Sequence, residues 1–378
     1  MKSRMLRTSS WNERRPPDGD NLSYHGYDYD HHSCQPCIVW RADMTKENPA
    51  RRDRLYLEED ADLSIIQNRL IASIGYGSQG HAQAQNLRDA GLQVIVGNRE
   101  DRYADTARSD GFEVVPIAQA VKRADILLML VPDELQMSIY HAEIEPHLRE
   151  GQVLDFASGY AMHFGLFTPP ANIDIVLSVP ASLGEVLRER YVRGEGVFGH
   201  FGVHQDFSGQ ARQIAMSLAK GMGLLRFGSC ECTFGEEVGV NLFAETAGLG
   251  AIMKYLLTAY EVLVEAGYSA ESAYSETFYE LQFFAEYLCK SKLGDTQFGS
   301  STSTYLILRR SGEVVDDHVR QQMRAMLKRI ESGELVRDWN LEQTAGSPVL
   351  HQLKREIAEH PIRDVEALFL ERKEKTGW

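Results

Sequence analysis

The feature that most restricts the fold is Leu70-Ile71-Ala72-Ser73-Ile74 running directly into Gly75-Tyr76-Gly77-Ser78-Gln79-Gly80. A short apolar run, a G-x-G-x-x-G turn and a helix-compatible stretch from His81 to Ala90, stopped by Gly91, form a strand–turn–helix. Each glycine has a physical task. Gly75 permits the tight turn, Gly77 lets a pyrophosphate approach the backbone, and Gly80 lets helix and strand pack closely. The helix start offers free N–H groups and a positive dipole end to phosphates. The turn therefore points to a dinucleotide cofactor, NADH or NADPH.

The pattern then alternates. Leu92–Val96 reads as a strand, Tyr103–Asp110 as a helix, Glu113–Val115 as a strand and Ile117–Val121 as a helix. Ile126–Val131, Gln152–Phe156 and Ile173–Val179 continue it as strands. Such alternation predicts a Rossmann-type doubly wound parallel sheet of class α/β. After about Cys232 strand signals almost vanish, and 234–268, 269–288, 314–332, 349–359 and 365–373 carry helical spacing. The expected organisation is an extension over 1–54, a dinucleotide-binding domain over 55–230 and an all-helical C-terminal domain over 231–378. The extension is rich in polar residues, lacks an apolar period and reads as disordered or loosely attached. Its Asp28, Asp30, His31, His32, Cys34 and Cys37 could offer metal ligands, but with no second CxxC or HxxxH a polar tail is the simpler reading.

A net charge of −14 argues against nucleic acid as a partner. No unbroken run of about 18 apolar residues appears, so no membrane span is expected. The start MKSRMLRTSS has no apolar segment behind it, so no secretory signal is read. Five cysteines, an odd and sparse set, suit reduced thiols in a cytoplasm.

Cofactor preference is set at the end of the second strand, where Gly97 and Asn98 lead into Arg99-Glu100-Asp101-Arg102. A carboxylate there accepts from ribose hydroxyls, whereas an arginine suits a 2′-phosphate. The paired acids lean toward NADH. In the helical half, Asn241 and Glu245 are four apart, as are Glu276 and Glu280, so each pair shares a helix face. Their neighbours Leu242, Phe243, Phe278 and Leu281 are apolar, which suggests a partly buried seam. Buried carboxylates need a metal, a cation or a shared proton. Two solvated helix faces are the plainer alternative.

Together, Ala61-Asp62-Leu63-Ser64-Ile65-Ile66, IASIGYGSQGHAQAQNLRDAGLQVIVGNR, Met162-His163-Phe164-Gly165 with Pro169-Pro170, TFGEEVGVNLFAE, Leu263–Tyr268, Ser332-Gly333-Glu334 and His360-Pro361-Ile362 resemble the short class of ketol-acid reductoisomerases. The resemblance runs from about Tyr56 to the C-terminus. It implies NADPH or NADH, two magnesium ions and a small-molecule substrate. The family moves an alkyl group in a 2-hydroxy-2-alkyl-3-oxo acid and reduces the new ketone, in branched-chain amino-acid synthesis. By resemblance the metal positions are Asn241, Glu245, Glu276 and Glu280, and the substrate-contacting serine is Ser301. Three positions depart from the family. A bridging Asp is Asn241, a His-Gly pair is Ser158-Gly159, and a Pro-Lys pair is Pro180-Ala181.

Magnesium prefers charged oxygen ligands, so these changes put the metal pair in doubt. They should harm the rearrangement, which needs metal chelation, more than hydride transfer, which needs a cofactor and an oriented acceptor. The expectation is a reductase of an imine or ketone in a specialised biosynthetic pathway, without the isomerase step. The alternatives are a working ketol-acid reductoisomerase and a non-catalytic cofactor-binding protein. A homodimer is expected, because helices 234–332 carry more apolar surface than one small domain needs.

Overall fold

The computed structural model describes residues 54–292 and 297–377. Apart from Arg54, the N-terminal extension and its candidate metal set Asp28–Cys37 lie outside them. Nine strands form one sheet: β1 (Leu55–Tyr56), β2 (Leu70–Ile74), β3 (Gln93–Gly97), β4 (Val114–Val115), β5 (Ile126–Met129), β6 (Val153–Phe156), β7 (Asp174–Pro180), β8 (Gly199–Gln205) and β9 (Ser229–Glu231). Their order is β1-β9-β8-β7-β6-β5-β2-β3-β4. The pairs from β4 through β3, β2, β5 and β6 to β7 are parallel. β8 runs antiparallel to β7, and β1 antiparallel to β9. The doubly wound core is thus as expected, with an unforeseen extension of mixed direction at one edge.

The central strands are mostly apolar on both sides because both faces are covered. Leu127 and Met129 enter one core cluster, while Leu128 and Leu130 enter the other. Helices α1 (Ser78–Asp89), α2 (Arg102–Ser109), α3 (Ile117–Arg123), α4 (Asp133–Ile139), α5 (Tyr160–His163), α6 (Gly184–Val192), α7 (Ala211–Gly221) and α8 (Leu224–Phe227) accompany the sheet. Several buried polar groups interrupt this core, Ser73, Asp174 and Ser178 among them. Asp155, in the middle of β6, is wholly buried, and neither carboxylate oxygen has a hydrogen-bond partner. Burial raises its pKa well above the usual range, with the nearby Ser178 hydroxyl pulling the other way.

Among the described residues no strand follows β9. The helices are α9 (Phe234–Phe243), α10 (Leu249–Glu265), α11 (Ala270–Tyr274), α12 (Leu281–Lys290), α13 (Ser301–Arg310), α14 (Asp317–Glu331), α15 (Glu334–Thr344), α16 (Pro348–Ala358) and α17 (Ile362–Thr376). Thr233 caps α9 by accepting from Glu236 N. A π turn, Ala244–Gly248, joins α9 to α10, and another, Ser275–Tyr279, lies between α11 and α12. Such turns widen a helix locally and recur at functional sites.

Phe234–Glu265 forms a single helical segment long and apolar enough, by length and composition alone, to cross a bilayer, and only 11% of its most apolar window is buried. Asn241, Glu245 and Thr246 interrupt the sequence, so no unbroken apolar run announces it. Its exposed side chains include Leu249, Ile252, Met253 and Tyr255.

Candidate active site

The strand order reverses at β2, which pairs with β3 on one side and β5 on the other. Such a switch point leaves a crevice beyond the carboxyl ends of the strands. The glycine turn lies there. Gly75 has φ +99°, and a Cβ on it would lie 2.8 Å from Leu130 O. A Cβ on Gly80 would lie 2.4 Å from Gly75 O, so the third glycine brings helix and strand together. Gly77, the N-cap of α1, has no atom within 4 Å of a Cβ position. The turn therefore keeps open the space that a phosphate group would need.

A cavity of about 380 Å³ opens over it, lined by Gly75 to Gln79, Asn98, Arg99, Asp101 and Tyr103 on one side. Asp133, Gln136, Ile139, Ala157 and Ser158 line the other. The expected cofactor residues are not all engaged alike. Tyr76 borders the cavity, but its ring is buried against Phe112 and its hydroxyl donates to Asp110 at 2.9 Å. Gln79 is tied to Ser182 O at 2.8 Å. Asp101 is the N-cap of α2, accepting from Tyr103 N and Ala104 N. It also accepts from Asn98 and Arg99, and the Arg99 contact leads in holding its carboxyl below the usual range. Glu100 turns away to Arg108, and Arg102 lies over the Tyr103 ring. Both acids thus have partners of their own, while Asp101 still borders the cavity. An open glycine turn at a helix start, with a cation at the far wall, does fit a dinucleotide.

The carboxylate pairs differ from expectation. Asn241, Glu245, Glu276 and Glu280 are exposed, not set in a buried seam. Glu245 and Glu276 occupy the two π turns. Asn241 Nδ2 donates to Glu245 Oε1 at 3.2 Å. Among the described residues no three His, Cys, Asp or Glu side chains converge to hold a metal ion. The two pairs therefore do not meet within one chain. Within one chain these residues do not make a two-magnesium site, and Asn241 places an amide, donating to Glu245, where the family has a bridging carboxylate. Ser301 is exposed at the first turn of α13, which packs mainly on the turn that follows it. Ser158 borders the cavity and accepts from Tyr160 N at 3.3 Å, and Ala181 is exposed just after β7.

Two acids escaped the sequence reading. Glu237 is 3% exposed, and its Oε2 accepts from Gly159 N. Its pKa is pushed up to about 7 by burial, with Asp133 and Glu245 adding and the Gly159 bond opposing. Asp133, at the start of α4, is pushed up to about 6, again by burial first, then by Glu134 and Glu245. Both were findable. Glu237 precedes Asn241 by four residues on the same face, and Asp133 follows a central parallel strand at the crevice.

The acetohydroxy acid isomeroreductase NADPH-binding domain matches residues 65–228, and the ketol-acid reductoisomerase C-terminal domain matches 234–372. The ketol-acid reductoisomerase (NADP(+)) of Petrotoga mobilis is 42% identical over 301 residues, covering 79% of this chain and 91% of the relative. The Pyrobaculum neutrophilum enzyme of the same name is 41% identical over 317 residues, covering 83% and 97%. An NADH-preferring ketol-acid reductoisomerase from an uncultured archaean superposes with a TM-score of 0.82 at 34% identity, covering 84% of this chain and 98% of that one. The chain belongs to the ketol-acid reductoisomerase family, as a short-class member, and is an NAD(P)H-dependent oxidoreductase.

Proposed function

We propose that the cleft beside Gly77 binds NADPH or NADH and that a ketol-acid-type substrate is reduced there, the reaction for which the relatives are named. The observation that carries this is their identity of about two-fifths along nearly their whole length. A bound nicotinamide supplies the hydride. Gly75 and Gly77 would admit the pyrophosphate to the N–H groups at the start of α1, and Arg99 would face the adenosine ribose. Two relatives are named for NADP(+) and one structure for NADH, so preference rests on Arg99 and its Asp101 partner. Reduction of a carbonyl also needs a proton. Glu237 holds one near neutrality, and with Oε2 taken by Gly159 N–H the proton sits on Oε1.

A second reading, reduction without alkyl migration, is favoured by Asn241, Ser158 and Ala181 standing where the family has a bridging acid, an imidazole and an ammonium. One pair of substrates separates the readings. 2-Acetolactate must rearrange before reduction, whereas 3-hydroxy-3-methyl-2-oxobutanoate needs reduction only. Turnover of both, dependent on magnesium, supports the family's full reaction. Turnover of the second alone supports the other reading, and oxidation of cofactor by neither sinks the first.

A homodimer is part of the proposal. The exposed apolar side chains of α10, α12 and α13, with Phe283, Phe284 and Leu306 among them, need a cover. A second copy would supply it and would bring Glu276 and Glu280 of one chain toward Asn241 and Glu245 of the other. Monomer mass by light scattering, or flotation with lipid vesicles, would count against it. Reduced cysteines suit a cytoplasmic enzyme, and Cys230, Cys232 and Cys289 form no disulfide.

A further inference from the structure

The loop of residues 180–184 leaves β7 and enters α6 against the first turn of α1. A Cβ on Gly184 would lie 2.1 Å from Ser78 O and 2.7 Å from Ser78 Oγ, so loop and turn touch with no room for a methyl group. Gln79 Nε2 donates to Ser182 O at 2.8 Å. Its Oε1 accepts from Gln83 Nε2 at 3.1 Å. Gln83 is fully buried one turn further along α1. Both ends of the Gln79 amide are therefore engaged, which sets its nitrogen toward the loop and its oxygen toward Gln83. Further along, Arg188 of α6 donates to Asn86 Oδ1 at 2.8 Å and to Asp89 Oδ2 at 2.6 Å. The loop and α6 are thus braced on α1.

The same helix turn serves the phosphate. His81 N donates to Gly77 O at 2.8 Å, the first bond of α1. The N–H groups of Ser78, Gln79 and Gly80 come before it and have no helical acceptor. These are the donors that a pyrophosphate would use. Ser78 and Gln79 line the cavity, whereas Ser182 and Gly184 lie outside its lining. Gln79 therefore carries a main-chain donor for the cofactor and a side-chain donor for a loop beyond the cavity. That loop holds Ala181, one of the three departures from the family. The Ser182 hydroxyl, buried without a partner, adds no second bond to hold it.

We propose that Gln79 is a positioning residue that couples cofactor binding to the loop of residues 180–184. A pyrophosphate drawing on the first N–H groups of α1 fixes the turn from which the Gln79 side chain reaches Ser182. Fixing that turn holds the loop, and by reciprocity a held loop favours the cofactor. The segment carrying Ala181 is then ordered while cofactor is bound and loosens when it leaves. The proposal rests on the reading that the cleft beside Gly77 binds NADPH or NADH.

The test uses the full chain, with saturating NADPH and, in parallel, NADH. Backbone hydrogen exchange over residues 181–187 is followed by mass spectrometry. Cofactor titration by fluorescence and urea unfolding without cofactor accompany it. In wild type the bound cofactor should slow exchange of the loop by about fivefold or more. Gln79→Met keeps the length and the backbone N–H but has no amide. It should abolish that slowing and weaken cofactor binding about three- to tenfold, the value of one ordinary hydrogen bond. Gly184→Ala, off the cavity, should do the same by forcing the loop from Ser78. A residue that merely stabilised the fold would speed exchange in both states and leave their ratio unchanged. An unchanged ratio in Gln79→Met, or no cofactor-dependent slowing in wild type, overturns this proposal alone. Wild-type affinity in Gly184→Ala with a loosened loop also overturns it. Binding of neither cofactor to wild type overturns the reading beneath it as well.

Discussion

Replacing Gly77 by valine should separate fold from function. The residue sits at φ −72° and ψ −160°, an extended conformation that any L-residue adopts. No atom lies within 4 Å of the new Cβ, so nothing in the protein must move. Valine is a poorer N-cap than glycine, which costs about 1 kcal/mol. The larger effect falls on the cofactor. Valine's carbons would stand in the open space before the first N–H groups of α1, holding a pyrophosphate away from them. Each hydrogen bond to a charged group has a net value of about 1.5–3 kcal/mol. Losing one or two weakens binding on the order of a hundredfold. NADPH titration by fluorescence, beside urea unfolding of the unloaded protein, measures both quantities. A stable variant whose affinity stays within about threefold of wild type, roughly 0.7 kcal/mol, would refute the placement. Gly80→Ala should show the opposite pattern. Its Cβ would meet Gly75 O at 2.4 Å, so α1 must shift from β2 at about 1–3 kcal/mol of stability before any cofactor is added.

Three further outcomes are expected. Asp155 keeps its proton in the folded state and loses it more readily when unfolded, so the native state loses stability as pH climbs from the ordinary carboxylate value toward the raised one. Asp155→Asn should flatten that slope in urea unfolding between about pH 4 and 9, and parallel wild-type and variant slopes would show that the carboxyl is ionised. Glu237 carries its proton below about pH 7 and releases it above, so a proton-limited reduction should fall through neutrality. The Gln variant should be slower and lose that limb of the kcat profile, and an unchanged profile removes Glu237 from the proton's path. Arg99→Glu should lower NADPH affinity about tenfold relative to NADH, an electrostatic effect at an exposed site, and equal losses for both cofactors would show that Arg99 does not read the phosphate.

The glycine turn and the parallel core were legible because local chemistry dictates them. An apolar run buried on both faces, followed by three glycines with distinct steric duties, has few other structures open to it. The edge strands were not legible. β8 reads Gly-His-Phe-Gly-Val-His-Gln, in which Gly202 is set by Cys232 O, 2.2 Å from its Cβ position, a contact that no local pattern reveals. Helices α13 and α15 were missed because their exposed faces carry apolar and charged residues together, blurring the period. The i,i+4 rule found Asn241 and Glu245 but passed over Glu237, whose burial comes from a tertiary contact with Gly159 that spacing does not show. Spacing also could not show that Glu276 and Glu280 stay apart from Asn241 within one chain. Distance between helices is a tertiary quantity, and the apolar side chains that would close the gap face outward.

The departures from the family lie together, and that placement bears on their meaning. Ser158 follows β6, Ala181 follows the neighbouring strand β7, and Asn241 lies on α9, the helix whose Glu237 bonds back to Gly159 beside Ser158. Of the three, Ser158 borders the cavity itself. The half beyond β2 and β3 keeps its glycines in positions that tolerate almost no change, with a Cβ clash of 2.4 Å at Gly80 and 2.8 Å at Gly75. Loss of function by drift has no reason to respect that boundary, since a side chain larger than hydrogen at Gly77 would be sterically free in the unloaded protein. An open Gly77 makes physical sense where a cofactor still occupies the space. A retained cofactor half is the pattern of an enzyme that still moves hydride. 2-Acetolactate and 3-hydroxy-3-methyl-2-oxobutanoate, offered to the same loaded protein, discriminate between drift and retained catalysis: oxidation of cofactor by neither, with binding intact, would leave the cofactor half without a catalytic reason to persist.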